Sequence, residues 1–351
     1  MTTAEAMIAC NDINAALAFY VDRLGFRVDS IFPADDPVVA VLRGYGLRLR
    51  LDPDAPPSPA TLRISCTDLP ALGGAGRLVA PDGTTVDIVD GDPPLTLPPL
   101  QQSFVLERAS DDAGWTVGRA EMRYRDLIPD RQGGRFIASH IEIPTAGPVS
   151  DYVHFHKIRF QMIFCYRGWV KVVYQDQGEP FVMQAGDCVL QPPEIRHRVL
   201  EASPGLEVIE IGCPALHDTM ADHGLALPTD VIDPERDFGG QRFVRHQAAL
   251  ATWAPWRVAG FECRDLGIAR ATDGIAGVRV VRVAGPAPEA WTAEGELCLH
   301  VVLDGEVTLD RVGHAPQRLT AGDSVALPAG DRYRLADPSP DFELLDITLP
   351  A

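Results

Sequence analysis

The chain has 351 residues, 46% hydrophobic and 23% charged, enough to fill more than one packed core and unlike a disordered or fibrous protein. Its 31 basic and 49 acidic residues leave a net charge of −18, which repels phosphate backbones and anionic lipid and excludes nucleic-acid and membrane-surface binding from the expected functions. The 31 glycines and 30 prolines, with β-branched residues in short runs, favour short strands and tight turns over long helices.

In chain order, Met7 to Cys10 reads as an apolar strand and Asn11-Asp12 as a helix N-cap. Ile13, Ala16, Leu17, Tyr20, Val21 and Leu24 follow at helical spacing, and Gly25 supplies a stop. Val38 to Leu42 predicts a buried strand, and Leu47, Leu49 and Leu51 alternate with Arg48 and Arg50 as in a half-buried one. A compressed copy follows: strand Thr61 to Cys66, Asp68 as cap, a short turn from Leu69 to Leu72, then APDGTTVDIVD. This β-α-β-β-β plan, carried by NDINAALAFYVDRLGF and PDGTTVDIVD, resembles the vicinal oxygen chelate superfamily of glyoxalase and bleomycin-resistance proteins. In that family four strand positions hold a metal; the matching places here are Glu5, Leu49, Thr61 and Asp87. Leucine and threonine at two of them imply a dead site, so residues 1–92 are expected to be a structural or substrate-covering module.

The proline-rich run GDPPLTLPPLQQ, residues 91–102, reads as a linker, and the polar stretch 213–243 as a second seam. Residues 103–351 contain an internal repeat. Tyr124-Arg125-Asp126-Leu127 is echoed by Cys263-Arg264-Asp265-Leu266, and FIASHIEIPTAGP by IAGVRVVRVAGP. CYRGWVKVVY matches VLDGEVTLDR, aligning Gly168 with Gly305, and AGDCVLQPPEIRH matches AGDSVALPAGDRY, aligning Gly186 with Gly322 and Pro192 with Pro328. Two copies of one all-β unit are therefore expected, at 103–225 and 245–351.

In the first copy, His154 and His156 stand at i and i+2, so on a strand they share a face and can converge on one ion at about 2.0–2.2 Å. His197 follows the Gly186-Asp187 turn and Pro192, which would return it beside them. The pattern resembles the cupin superfamily, whose first motif is a glycine, HxH, a glutamate after four more residues, then glycine, and whose second is GD, PxG, then histidine. Gly147, His154, His156, Gln161 and Gly168 fall on the first motif, and Gly186, Pro192 and His197 on the second. Gln161 replaces the usual glutamate and Glu194 the usual turn glycine.

The resemblance implies a mainly β chain: two cupin β-barrels (double-stranded β-helices) preceded by a small α+β domain. His154, His156 and His197 would hold one divalent metal ion, with Fe(II) favoured and zinc, nickel or manganese as alternatives. The neutral Gln161 amide either coordinates or hydrogen-bonds a bound water or substrate, the second being preferred, and is the catalytic candidate. Arg159 and Tyr166 are candidates for substrate binding; on a regular strand Lys157 and Arg159 would instead lie with Phe155 on the opposite face, as solvated charges, and Tyr166 would be core. In the second copy Trp291-Thr292-Ala293 replaces HxH, Cys298 replaces Gln161 and Tyr333 replaces His197, which implies a metal-free barrel with His300 packed or hydrogen-bonded.

The implied activity is that of a cupin dioxygenase acting on a small enol, diketone or phenol-like substrate. Non-oxidative lyase, isomerase or hydrolase chemistry at the same metal, and a small-molecule binding or sensor role, are the alternatives. Exposed cupin edges are expected to pair into a homodimer. The scattered cysteines, never CxxC, the lack of a long apolar run and a start, MTTAEAMIACND, unlike a signal peptide suggest a cytoplasmic protein with reduced thiols.

Overall fold

A computed structural model of the chain describes residues 4–33, 37–56, 60–109, 114–118, 122–285 and 290–350. Pro286, which ends the second copy's IAGVRVVRVAGP echo, lies outside them. The chain divides into two compact units, Met1–Pro94 and Leu95–Ala351. Among the described residues no helix is long and apolar enough to cross a membrane, and all seven cysteines are free thiols.

In the first unit, Ala6–Ala9 pairs in parallel with Leu47–Asp52, which continues antiparallel through Val39–Gly44 to Arg27–Phe32. Between the first two elements the expected helix runs Ile13–Leu17, and the Asp12 side chain caps it by accepting from the Ala15 N–H at 3.0 Å. The next residues, Ala18–Arg23, are wound as a π-helix, a local departure from the plain 3.6-residue spacing read from the sequence. Ile13, Ala16, Tyr20 and Leu24 are buried against Leu49 and Leu51 as the pattern requires. The compressed copy is a three-stranded sheet, with Thr61–Cys66 parallel to Thr85–Asp90 and Gly76–Val79 antiparallel to it. Of the four family metal positions, Glu5 is paired with Arg48, Asp87 is held by Arg77 at 2.7 and 3.0 Å, Leu49 is core and Thr61 is exposed.

The second unit holds two β-barrels, each made of two facing sheets. The first barrel's larger sheet runs Val244–His246, Cys188–Leu190, Phe160–Arg167, Leu206–Cys213, Ile137–Ile143, Arg123–Asp126, Thr116–Val117. Its smaller sheet carries His154–His156 and His197–Ala202 as neighbours. The second barrel repeats the plan, with Leu297–Asp304 and Glu343–Leu349 central in the larger sheet. The registers correspond: Gln161 lies opposite Gly212 and Ile163 opposite Glu210, as Cys298 lies opposite Thr348 and His300 opposite Asp346.

The larger sheets pack face to face. Phe160, Met162, Phe164, Ile209 and Ile211 meet Leu297, Leu299, Val301, Leu345 and Ile347 in one continuous buried cluster. The barrels also exchange arms. Val105–Glu107, which precedes the first barrel, pairs with Ser324–Ala326 of the second. Val244–His246, which precedes the second barrel, pairs with Cys188–Leu190 of the first. The repeated arginines complete the exchange: Arg125 donates to the Gly322 carbonyl at 2.8 Å and Arg264 to the Gly186 carbonyl at 3.0 Å, each reaching the Gly-Asp turn of the other barrel. Asp187 and Asp323 of those turns accept from the Ala248 and Ala109 N–H groups at the ends of the swapped arms.

Because each guanidinium is buried on a carbonyl of the opposite half, Arg125→Ala and Arg264→Ala are each expected to cost about 1–3 kcal/mol in urea unfolding. In each variant Leu95–Ala351 should still unfold in one transition if the exchanged arms make its two barrels one cooperative unit.

Candidate metal centre

His154 and His197 are directly opposite one another on adjacent antiparallel strands, and His156 lies two residues along on the same face. The turn that returns His197 contains Glu194 at φ 61°, the left-handed conformation that the motif's glycine adopts without strain; here a glutamate bears about 1–2 kcal/mol of it. The Glu194 N–H donates to the His156 carbonyl at 2.9 Å, which ties the turn to the HxH strand.

All three imidazoles are buried, and their ligand atoms lie within 4.8 Å of one another. Each Nδ1 sits on a backbone carbonyl: His154 on Tyr152 at 2.8 Å, His156 on Asp218 at 3.1 Å and His197 on Ile195 at 2.9 Å. An Nδ1–H donated in this way fixes the neutral tautomer and puts the ring lone pair on Nε2. Asp151 is fixed by the Val199 N–H at 2.9 Å and stands 3.6 Å from His154 Nδ1, supporting the same orientation. This donor set, three neutral nitrogen ligands with their tautomers set from behind, fits a divalent transition-metal ion.

The histidines open into a cavity of about 110 Å³. Its walls are mainly aliphatic, including Ile141, Ile163, Val172, Met183, Leu206 and Val208. Tyr174 stacks on His197, with ring centroids 5.6 Å apart and planes 25° apart, and accepts a hydrogen bond from Gln191 at 2.8 Å. Burial pushes the Tyr174 phenol well above its ordinary value and keeps it neutral.

Gln161 faces this cavity, and its amide donates to Glu210 Oε1 at 2.6 Å. Glu210 was not singled out from the sequence; its signal was the phase of Leu206, Val208 and Glu210 on one strand, three alternate residues that all face the cavity. Arg159 and Tyr166, the two expected substrate contacts, are not among the residues that line the cavity. Arg159 lies beyond the short HxH strand and pairs with Glu296 of the second barrel at 2.9 Å. Tyr166 shares the parity of Met162 and Phe164, so it packs at the seam and donates to the Leu303 carbonyl at 3.0 Å.

Two family models match the chain: Glyoxalase/Bleomycin resistance protein/Dioxygenase superfamily over residues 3–90, and Cupin over residues 274–348. No curated protein matches it. Among solved structures, the protein Ylba from E. coli is 11% identical with a TM-score of 0.52, over 70% of this chain and 90% of that one. A variant of Bacillus subtilis oxalate decarboxylase is 12% identical with a TM-score of 0.51, over 72% and 78%. Lactobacillus farciminis oxalate decarboxylase, solved as a formate complex, is 14% identical with a TM-score of 0.50, over 73% and 88%. At these identities the likeness is one of fold, two cupin barrels in tandem, and with the histidine cluster it supports a divalent metal.

The corresponding place in the second barrel is filled by side chains. Trp291 lies opposite Tyr333, as His154 lies opposite His197. His300 Nε2 meets the Tyr333 hydroxyl at 2.6 Å with Cys298 Sγ alongside, and His300 Nδ1 stands 3.3 Å from Asp346, every one of them buried. Burial alone would lower the His300 value; Cys298 and Asp346 outweigh it and push the imidazole up from 6.5 to about 10. A raised folded value means that the stability from the charged imidazole is fully present below the ordinary value and is lost as pH rises through the folded one. The stability advantage of the wild-type protein over His300→Gln should therefore be largest below pH 6.5 and shrink towards pH 10, as read by urea unfolding across that range.

Proposed function

We propose that this chain, a bicupin carrying an N-terminal glyoxalase-like domain, is a metal-dependent oxygenase that holds Fe(II) through His154, His156 and His197 and acts on a small enol, diketone or phenol-like substrate. The observation that carries this reading is the convergence of three backbone-oriented imidazoles in a cavity whose walls are mainly aliphatic. When bound, a divalent ion would polarise an oxygen of the substrate and, being ligated only by neutral nitrogens, would keep its charge for an anionic oxygen ligand.

The chain's own residues define what fits. The cavity is somewhat smaller than the roughly 150 Å³ apolar cavity known to hold benzene, so its enclosed part suits a compact molecule. The aliphatic walls offer a bound substrate an apolar surface, and the Tyr174 ring stacks on His197. Oxalate, named for two of the structural neighbours, is a poor fit. Among the described lining residues Arg198 is the one cationic side chain and it is exposed, so a second carboxylate would face aliphatic walls and Glu210. A second reading, Lewis-acid chemistry with zinc, nickel or manganese, is favoured by the Glu210 carboxylate in the cavity, since proton transfer alone requires no redox-active ion.

The test is metal content by mass spectrometry on protein purified without added metal, beside a His154→Ala/His156→Ala double variant. About one iron per chain, absent from the variant, with oxygen uptake on acetylacetone or catechol, is the expected result. Zinc, nickel or manganese without oxygen uptake would select the second reading. Failure of the wild-type protein to take up any of these ions on reconstitution would overturn both.

A further inference from the structure

Gln161 occupies the position where the cupin motif carries a carboxylate, yet the cavity does not lack one. Glu210, on the neighbouring strand of the same sheet, brings its Oε1 to 2.6 Å from the Gln161 amide nitrogen. Among the described residues lining the cavity it is the one acid. Glu210 is half-buried in the wall of the cavity, where a leucine or valine would fill the same place without taking a carboxylate partly out of water. The second barrel provides an internal comparison. Asp346 stands at the same register, opposite His300 as Glu210 is opposite Ile163, and there a buried imidazole answers it. In the first barrel the matching position is aliphatic, and the acid faces the cavity.

We propose that Glu210 is the proton acceptor of this site: the carboxylate has passed from position 161 to position 210, and Gln161 is its positioning residue. The proposal rests on the metal-centre reading above and adds the substrate class, a compact molecule with vicinal or β-related oxygens and an acidic C–H or O–H between or beside them. In the step, that bond breaks, its electron pair stays on the substrate as an enolate delocalised onto the oxygens, and the proton passes to Glu210. The Gln161 N–H holds Oε1, which leaves Oε2 as the oxygen to receive the proton. Return of the proton to a different carbon would give an isomerisation, and attack of dioxygen on the enolate would give an oxygenation; both begin with this transfer.

The experiment uses the full-length protein loaded with zinc, which is redox-silent, and two probes. Exchange of the α-proton of acetoin in deuterium oxide is followed by NMR, and enolate formation from acetylacetone by its ultraviolet difference spectrum. Zinc affinity is measured separately by chelator competition. Glu210→Gln is expected to lower exchange at least 100-fold, within the range for loss of a general base, and to abolish the enolate band. Its zinc affinity should stay within a few-fold of wild type, because the three histidines are untouched. The exchanged pair Gln161→Glu/Glu210→Gln should recover at least tenfold of the lost rate, which a merely structural role for either residue would not produce. Equal exchange by Glu210→Gln and wild type, or no exchange and no enolate band with zinc-loaded wild type, would overturn the proposal while leaving the metal centre standing. A wild-type protein that takes up none of zinc, iron, nickel or manganese would overturn the metal reading itself.

Discussion

The two-residue alternation of the strands at the seam is the constraint on which the rest of the second unit depends. Along Phe160–Arg167 and Leu206–Cys213, one set of side chains enters the buried layer between the barrels and the other enters the first barrel. Phe160, Met162, Phe164, Ile209 and Ile211 are committed to the seam, and this commitment delivers Gln161 and Glu210 to the cavity. A slip of one residue would move the whole apolar set to the wrong face, so the hydrophobic seam itself specifies which polar groups meet at the site. The site is therefore placed by packing that it does not touch.

The same scaffold is put to opposite uses in the two halves. In the first barrel three imidazoles, an amide and a carboxylate border open space. In the second, Trp291, Tyr333, Cys298 and Leu344 fill the interior with Trp256 and Phe342. The acid retained there is matched to His300, so one buried charge is balanced by another. A buried pair of this kind is costly to break from either side, which ties a barrel with no open site to one arrangement of its polar core.

Much of this was legible in the sequence because it rests on short-range periodicity or on the repeat. The Asp12 cap, the apolar helix face, the strand alternation of the first unit and the correspondence of Trp291 and Tyr333 with His154 and His197 follow from spacing alone. The π-winding of Ala18–Arg23 was not legible, because it reflects how that segment settles in its tertiary setting. Arg159 and Tyr166 were misplaced because the HxH strand ends at His156 and because the parity of Tyr166 is decided by a partner sheet more than a hundred residues away. Glu210 escaped notice since a single acid in an apolar strand carries no motif; only the paired strands reveal that it shares a face with Gln161. The exchanged arms were equally invisible, being tied to partners distant in the chain.

That exchange has a consequence for the order in which the chain can be completed. Val105–Glu107 leaves the ribosome before either barrel exists, yet its partner Ser324–Ala326 is made only after the whole first barrel and most of the second. The first barrel, for its part, lacks its outermost strand until Val244–His246 has appeared. A growing chain thus carries an unpaired β-edge until Ser324–Ala326 has been made, the kind of edge that invites pairing with another molecule. The proline-rich run just ahead of that strand, with no backbone donors at Pro93, Pro94, Pro98 and Pro99, makes the approach to it a poor template for further pairing.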